Sequence, residues 1–140
     1  MAADKTEHFV LTSIGILHGD LKNRAETPKN YDESEHTGVI EILPRYRQAL
    51  EGIEVGQTIV VLFWLHRAER DILKVHPRGD TARPLRGVFA TRSPDRPNPV
   101  AISELQVTGI NGLQIAVRGV DVFDGTPIID IKKRIGERKR

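Results

Sequence analysis

Two runs that alternate apolar and polar residues, Ile102 to Thr108 and Leu113 to Val120, flank the dipeptide Asn111-Gly112. A period of two puts every second side chain on one face of a strand, and Asn-Gly readily takes the backbone angles of a tight hairpin turn. Other stretches have the same character. Phe9 to Leu17 is rich in β-branched residues and reads as a first strand, and Gly38 to Leu43 alternates as a second. Thr58 to His66 is apolar at nearly every position, which predicts a central strand. Gly87 to Thr91 and Ile128 to Lys132 complete the set, while Pro44 is expected to open a short helix through about Leu50, ended by Gly52. Gly19 to His36 and Arg67 to Arg83 are charged and lack apolar periodicity, so they read as a long loop and a connector. Many short strands with one or two short helices predict a mainly β fold, a small closed or nearly closed β-barrel in a single domain.

The chain has no cysteine, which excludes a disulfide scaffold and any thiolate metal site. Its five histidines are scattered without the helical spacing of zinc enzymes, so no metal is expected. Residues 1–8 lack the basic and apolar regions of a signal peptide, and the longest apolar run, Ile59 to Leu65, is too short to span a bilayer. A cytoplasmic protein without membrane contact is the expectation. The formal net charge of +2 is unevenly spread, because residues 132–140 alone carry +5. The expected organisation is a barrel domain over residues 1–131 followed by a basic tail over 132–140. That tail fits either a polyanion partner, most commonly nucleic acid, or a solvated terminus.

The stretch Arg92-Ser93-Pro94-Asp95-Arg96-Pro97-Asn98-Pro99 is a poor core and a good rigid loop. Proline fixes φ and removes a donor, so this loop is shaped before any ligand arrives. No Gly-x-Gly-x-x-Gly turn, P-loop or nucleophile elbow is present, which argues against Rossmann, P-loop and triad chemistry. His66 and Arg67, where a strand meets the charged connector, read either as a pocket rim or as a strand end reaching water. Arg92 and Arg96 are equally open between an anion site and solvated charges. Asn98-Pro99 pairs an amide with a fixed carbonyl, a way to receive an exocyclic adenine amino group. Asp124-Gly125-Thr126-Pro127 reads as a tight turn first and a ligand loop second.

Taken together these residues resemble the TsaA-like (TrmO-type) family of S-adenosylmethionine-dependent tRNA methyltransferases. The match runs through Gly87 to Pro99, Ile102-Ser103, Asp124 to Pro127 and Asp130-Ile131-Lys132, with support from Ile14-Gly15 and Phe63 to Arg67. The resemblance implies a dimeric β-barrel that binds S-adenosyl-L-methionine without a Rossmann sheet. It implies methylation of N6 of threonylcarbamoyl-adenosine beside the tRNA anticodon. Carried onto matching positions, it implies cofactor contacts at Pro28, Lys29, Asn30, His66, Arg67, Arg92, Ile102, Asp124, Gly125, Thr126 and Pro127.

The implied reaction is direct methyl transfer from a sulfonium to a nitrogen, for which the protein's main task is alignment. Asn98, the Pro99 carbonyl and Asp124 are the candidates to stabilise the attacking nitrogen, with Asn98 and Asp124 taken as the catalytic pair. Two departures matter. Ala101 stands where the family usually has glycine, and Lys133-Arg134 stands where it often has Pro-Tyr. The chain is also expected to lack the extra C-terminal domain of the longer bacterial members. The alternatives left open are another small-molecule or RNA substrate and a dimeric S-adenosylmethionine-binding module without turnover.

Overall fold

In the computed structural model, which describes residues 5–22 and 35–136, eight strands form, seven of them overlapping the stretches that read as strands and one, Lys74–Val75, inside the charged connector Arg67 to Arg83. They are β1 (Gly15–Gly19), β2 (Thr37–Ile42), β3 (Thr58–Trp64), β4 (Lys74–Val75), β5 (Arg86–Gly87), β6 (Val100–Asn111), β7 (Gln114–Arg118) and β8 (Pro127–Lys133). Six of them close into a barrel in the order β1-β2-β7-β6-β3-β8, and β4 with β5 forms a separate two-stranded arm. Every pairing is antiparallel.

The period-two pattern explains the interior. Along β3 the residues Ile59, Val61 and Phe63 are buried, while Val60, Leu62 and Trp64 on the outer face are half-buried. Leu17, Ile40, Leu105, Ile115, Val117 and Ile128 join them from the other walls. This is a barrel filled by side chains, as its small strand number requires. The β6–β7 hairpin turns at Gly112 and Leu113, between the paired Asn111 and Gln114 and one residue later than the Asn111-Gly112 signal, because Gly112 at a φ of 62° takes the first turn position. The ring is weakest at β1–β8, where only Gly15↔Ile128 and Ile16↔Pro127 pair. β8 also bulges against β3: Leu62 faces Asp130 and Phe63 faces Ile128, leaving Ile129 as the extra residue.

Several expectations shift. Phe9, Val10 and Leu11 stand outside the sheet, 81%, 95% and 57% exposed, so the first strand starts at Gly15. β propensity describes fit to a half-buried pleated surface, and no such surface is offered to these residues. Gly87 to Thr91 is not one strand. After β5 the chain turns into a 3-10 segment, Val88–Ala90, because the Val88 carbonyl accepts the Thr91 N–H, the Thr91 hydroxyl and the Arg96 guanidinium. The expected helix after Pro44 is a 3-10 helix, Pro44–Leu50, and Tyr46, Leu50 and Ile53 pack against the core. β8 extends through Lys133, so the basic stretch begins inside the barrel wall, and residues 137–140 lie outside the described residues. No helix among the described residues is long and apolar enough to cross a membrane.

Candidate functional site

Because the ring is antiparallel, β1, β3 and β7 end at the same rim where β2, β6 and β8 begin. The connections 20–36, 65–99 and 119–126 all leave from this rim. His66, Arg67, Arg92, Asn98 and Asp124 lie on them, far apart in sequence but gathered by topology at one end of the barrel. Pro28, Lys29 and Asn30 lie outside the described residues.

The proline loop is held by the segment that follows β3. Leu65 N–H donates to the Pro99 carbonyl at 2.8 Å, and Arg96 N–H donates to the Glu69 carbonyl at 3.0 Å. Glu69 N–H in turn donates to Asp95 Oδ1 at 3.0 Å. Arg70 completes the clamp, donating to the Pro97 carbonyl at 2.7 Å and to Asn98 Oδ1 at 3.1 Å while its guanidinium lies 5.1 Å from the centre of the Trp64 ring. The Asn98 amide is therefore fixed in orientation, and the Pro99 carbonyl is buried and engaged by the backbone.

The two arginines of the loop differ sharply. Arg96 turns inward and donates to the carbonyls of Thr91, Ser93 and Val88 at 3.1, 3.1 and 2.9 Å, so its five-donor fork braces its own loop. Arg92 is exposed, and its side chain has no hydrogen-bond or ion-pair partner among the described residues. His66 is likewise exposed, and its ring has no partner among the described residues.

On the facing side, Asp124 ties the end of β1 to the loop after β7. Its carboxylate accepts the Gly19 N–H at 3.0 Å and Lys22 Nζ at 3.2 Å. The Gly19 backbone bond first, and Lys22 second, lower its pKa below the usual carboxylate value. Asp124 is thus a fixed negative charge and a weak proton acceptor. Beside it the Arg67 guanidinium stacks on the Phe123 ring, 4.0 Å from its centre, and donates to the Lys22 carbonyl at 3.2 Å. The buried Ser103 hydroxyl reaches the same loop from β6, donating to Asp121 Oδ1 at 2.8 Å.

The remaining site candidates are mostly built into the turn. Thr126 is buried and its hydroxyl donates to the Phe123 carbonyl at 2.6 Å. Gly125 takes a φ of 84°, its N–H donates to the Leu17 carbonyl, and Pro127 opens β8. Ile102 is 43% exposed on the outer face of β6, opposite Leu62 and away from the barrel interior. Ala101 pairs with Phe63 inside β6, and Arg78 is the only non-glycine residue with positive φ among the described residues. No glycine-only backbone is needed at Ala101.

Sequence reasoning passed over Lys22, Arg70, Asp121, Phe123 and the buried role of Ser103. Arg70 and Lys22 sit in charged stretches where nothing distinguishes a clamp from a solvated side chain. A phenylalanine one residue before Asp124 was the one available signal, since an aromatic beside a polar turn needs something to cover it. Among the described residues no three His, Asp or Glu side chains gather as a metal-ligand set.

A family model described as the tRNA-methyltransferase O N-terminal domain matches residues 16–137. A probable S-adenosyl-L-methionine-binding protein of Methanothermobacter thermautotrophicus is 42% identical over 119 residues, covering 85% of each chain. An S-adenosyl-L-methionine-binding protein of Archaeoglobus fulgidus is 38% identical over 125 residues, covering 89% of this chain and 88% of that one. The crystal structure of TrmO from P. aeruginosa superposes with a TM-score of 0.75 at 27% identity, covering 95% of this chain. The chain spans 57% of that structure's length.

Proposed function

This chain belongs to the tRNA-methyltransferase O N-terminal domain family, and from that premise we propose that it binds S-adenosylmethionine at the loop rim and serves as a methyltransferase. The finer part of the proposal is its acceptor, N6 of threonylcarbamoyl-adenosine in tRNA. The observation that carries the reading is one rim presenting a guanidinium, Arg92, without a partner among the described residues, together with an ionised carboxylate, Asp124. A zwitterionic cofactor with a cationic sulfur needs both: a fork for its carboxylate and a negative charge near its positive centres. When bound, the cofactor supplies a methyl group already activated by its sulfonium.

The chain's own residues then have two tasks. Arg92 binds and orients, while the Arg70 clamp holds Asn98 as a preset polar group against which an acceptor amine is aligned. Asp124 keeps its charge through neutral pH and opposes the positive charge that develops on the attacking nitrogen. We place no proton on Asp124, because its hydrogen bonds favour the ionised form. The chain is further proposed to act as a homodimer. The half-buried outer face of β3 and the exposed Ile102 offer an apolar wall for a second copy.

Titration calorimetry with S-adenosylmethionine tests the cofactor, and saturable binding is expected. Arg92→Ala is expected to weaken it by about tenfold or more, the scale of one lost charge-assisted pair; unchanged affinity removes Arg92 from the site. Mass spectrometry of tRNA nucleosides from a deletion strain tests the acceptor, with loss of the methylated threonylcarbamoyl-adenosine expected. One finding favours a second reading: relatives of this length are described as binding proteins. In that reading the chain binds the cofactor without turnover, and retained binding with unchanged tRNA nucleosides would select it.

A further inference from the structure

Between the clamped segments the chain leaves the barrel to form the β4–β5 arm. Its charge is unlike that of the barrel body. Residues 74–92 hold five of the 21 lysines and arginines, namely Lys74, Arg78, Arg83, Arg86 and Arg92, and one of the 19 acids, Asp80. The stretch carries +4 and residues 132–140 carry +5, so in a chain of net charge +2 the remainder sums to −7. Residues 78–87 are all exposed. Arg83 pairs with Asp80 at 3.6 Å, but the side chains of Lys74, Arg86 and Arg92 have no hydrogen-bond or ion-pair partner among the described residues.

Apolar groups are interleaved with these cations. Leu73, Leu85 and Phe89 are 66%, 55% and 83% exposed, although Val88 between them is buried and anchors the arm. An exposed aromatic ring among cations is an arrangement by which proteins hold single-stranded nucleic acid, with phosphates on the cationic side chains and a nucleobase on the ring. The register fixes the cations relative to one another: Lys74 pairs with Gly87 and Val75 with Arg86. The arm is also joined to the loop that carries Asn98. Val88 N–H donates to the Leu73 carbonyl at 3.0 Å, and the Val88 carbonyl accepts Arg96.

We propose that the β4–β5 arm is an RNA-binding surface, with Lys74 and Arg86 holding backbone phosphates and Phe89 stacking a base next to the loop rim. This rests on the RNA-methyltransferase reading above and names the part of the molecule that grips the acceptor. An RNA seated there is delivered to the rim that carries Asn98 and Arg92.

The test is binding of labelled tRNA by fluorescence anisotropy across a salt series. Each lost phosphate contact makes the slope of log affinity against log salt shallower by about 0.7 to 0.9. The double variant Lys74→Ala, Arg86→Ala is therefore expected to flatten the slope by about 1.5, with calorimetric S-adenosylmethionine binding unchanged. Phe89→Ala is expected to weaken binding several-fold at an unchanged slope, because stacking releases no counterions. The charge-preserving pair Lys74→Arg, Arg86→Lys is expected to keep the wild-type slope.

If the double variant and Phe89→Ala both bind tRNA as the wild type does, the arm is not the RNA surface and the methyltransferase reading stands without it. If these substitutions change the oligomeric mass by ultracentrifugation and leave the RNA slope intact, the arm is a protein interface and the proposal is overturned. If the wild-type chain binds no tRNA while binding S-adenosylmethionine, the RNA acceptor itself falls, and the arm proposal with it.

Discussion

Arg92 and Arg96 stand four positions apart in one loop and have unrelated tasks. Arg96 donates to three carbonyls of its own loop, two of which, those of Thr91 and Ser93, face prolines that offer no local N–H, so its loss loosens the loop. Arg96→Ala is expected to lower stability by about 2 kcal/mol, the scale for removing a group that makes several charge-assisted bonds, with a lower midpoint in thermal or urea unfolding. Arg92→Ala is expected to leave that midpoint in place and act on cofactor affinity alone. Asp124 gives a pH signature. Its folded pKa is lowered, so its contribution to stability is fully present above the unfolded value of about 3.9 and is lost as pH falls through the folded value. Asp124→Asn is expected to flatten the acid limb of stability below about pH 4 and to lower stability at neutral pH. An acid limb as steep as the wild type's, measured by urea unfolding at each pH, would refute this.

At the scale of elements, the barrel strands were legible because burial of one face imposes alternation, as along β6, β7 and β3. The errors fell where a local bond outweighs a pattern. Gly87 to Thr91 has strand composition, yet the Val88 carbonyl is drawn into a side-chain cluster that propensity cannot register. Phe9 to Leu11 has strand composition and no surface to cover. At the site, the types and rough positions of Arg92, Asn98 and Asp124 could be read, but not which were free. That depends on Arg70, Lys22 and Gly19 reaching across long sequence separations. Close approach of β1 to β2 gives a further expectation. A Cβ on Gly15 would clash with the Glu41 carbonyl oxygen, and that backbone cannot shift cheaply. Gly15→Ala is expected to destabilise by about 1–3 kcal/mol in urea unfolding, whereas Gly136→Ala, which meets nothing within 4 Å, is expected to be neutral.

For the molecule as a whole, the unequal seams of the ring predict how it opens. β3 and β6 pair over seven consecutive positions, whereas β1 and β8 share two. Local opening begins where few backbone bonds and little apolar contact must be broken together. Native-state amide exchange is expected to be fastest, among the barrel ladders, at Ile14 and β1–β8, and slowest in β3–β6. Uniform protection around the ring would contradict this.

The clamp that holds the proline loop also has a topological consequence. Glu69 bonds to both Asp95 and Arg96, and Arg70 to Pro97 and Asn98, so the chain that leaves the barrel at residue 70 returns to the same place at residue 95. Everything between is a closed excursion. Within it, Lys74 and Gly87 are register partners, so residues 75–86 already begin and end side by side. Loop closure of such a segment changes little with its length. The arm is therefore a cassette: its length and charge can vary, or be exchanged between relatives, while the barrel and the rim keep their shape.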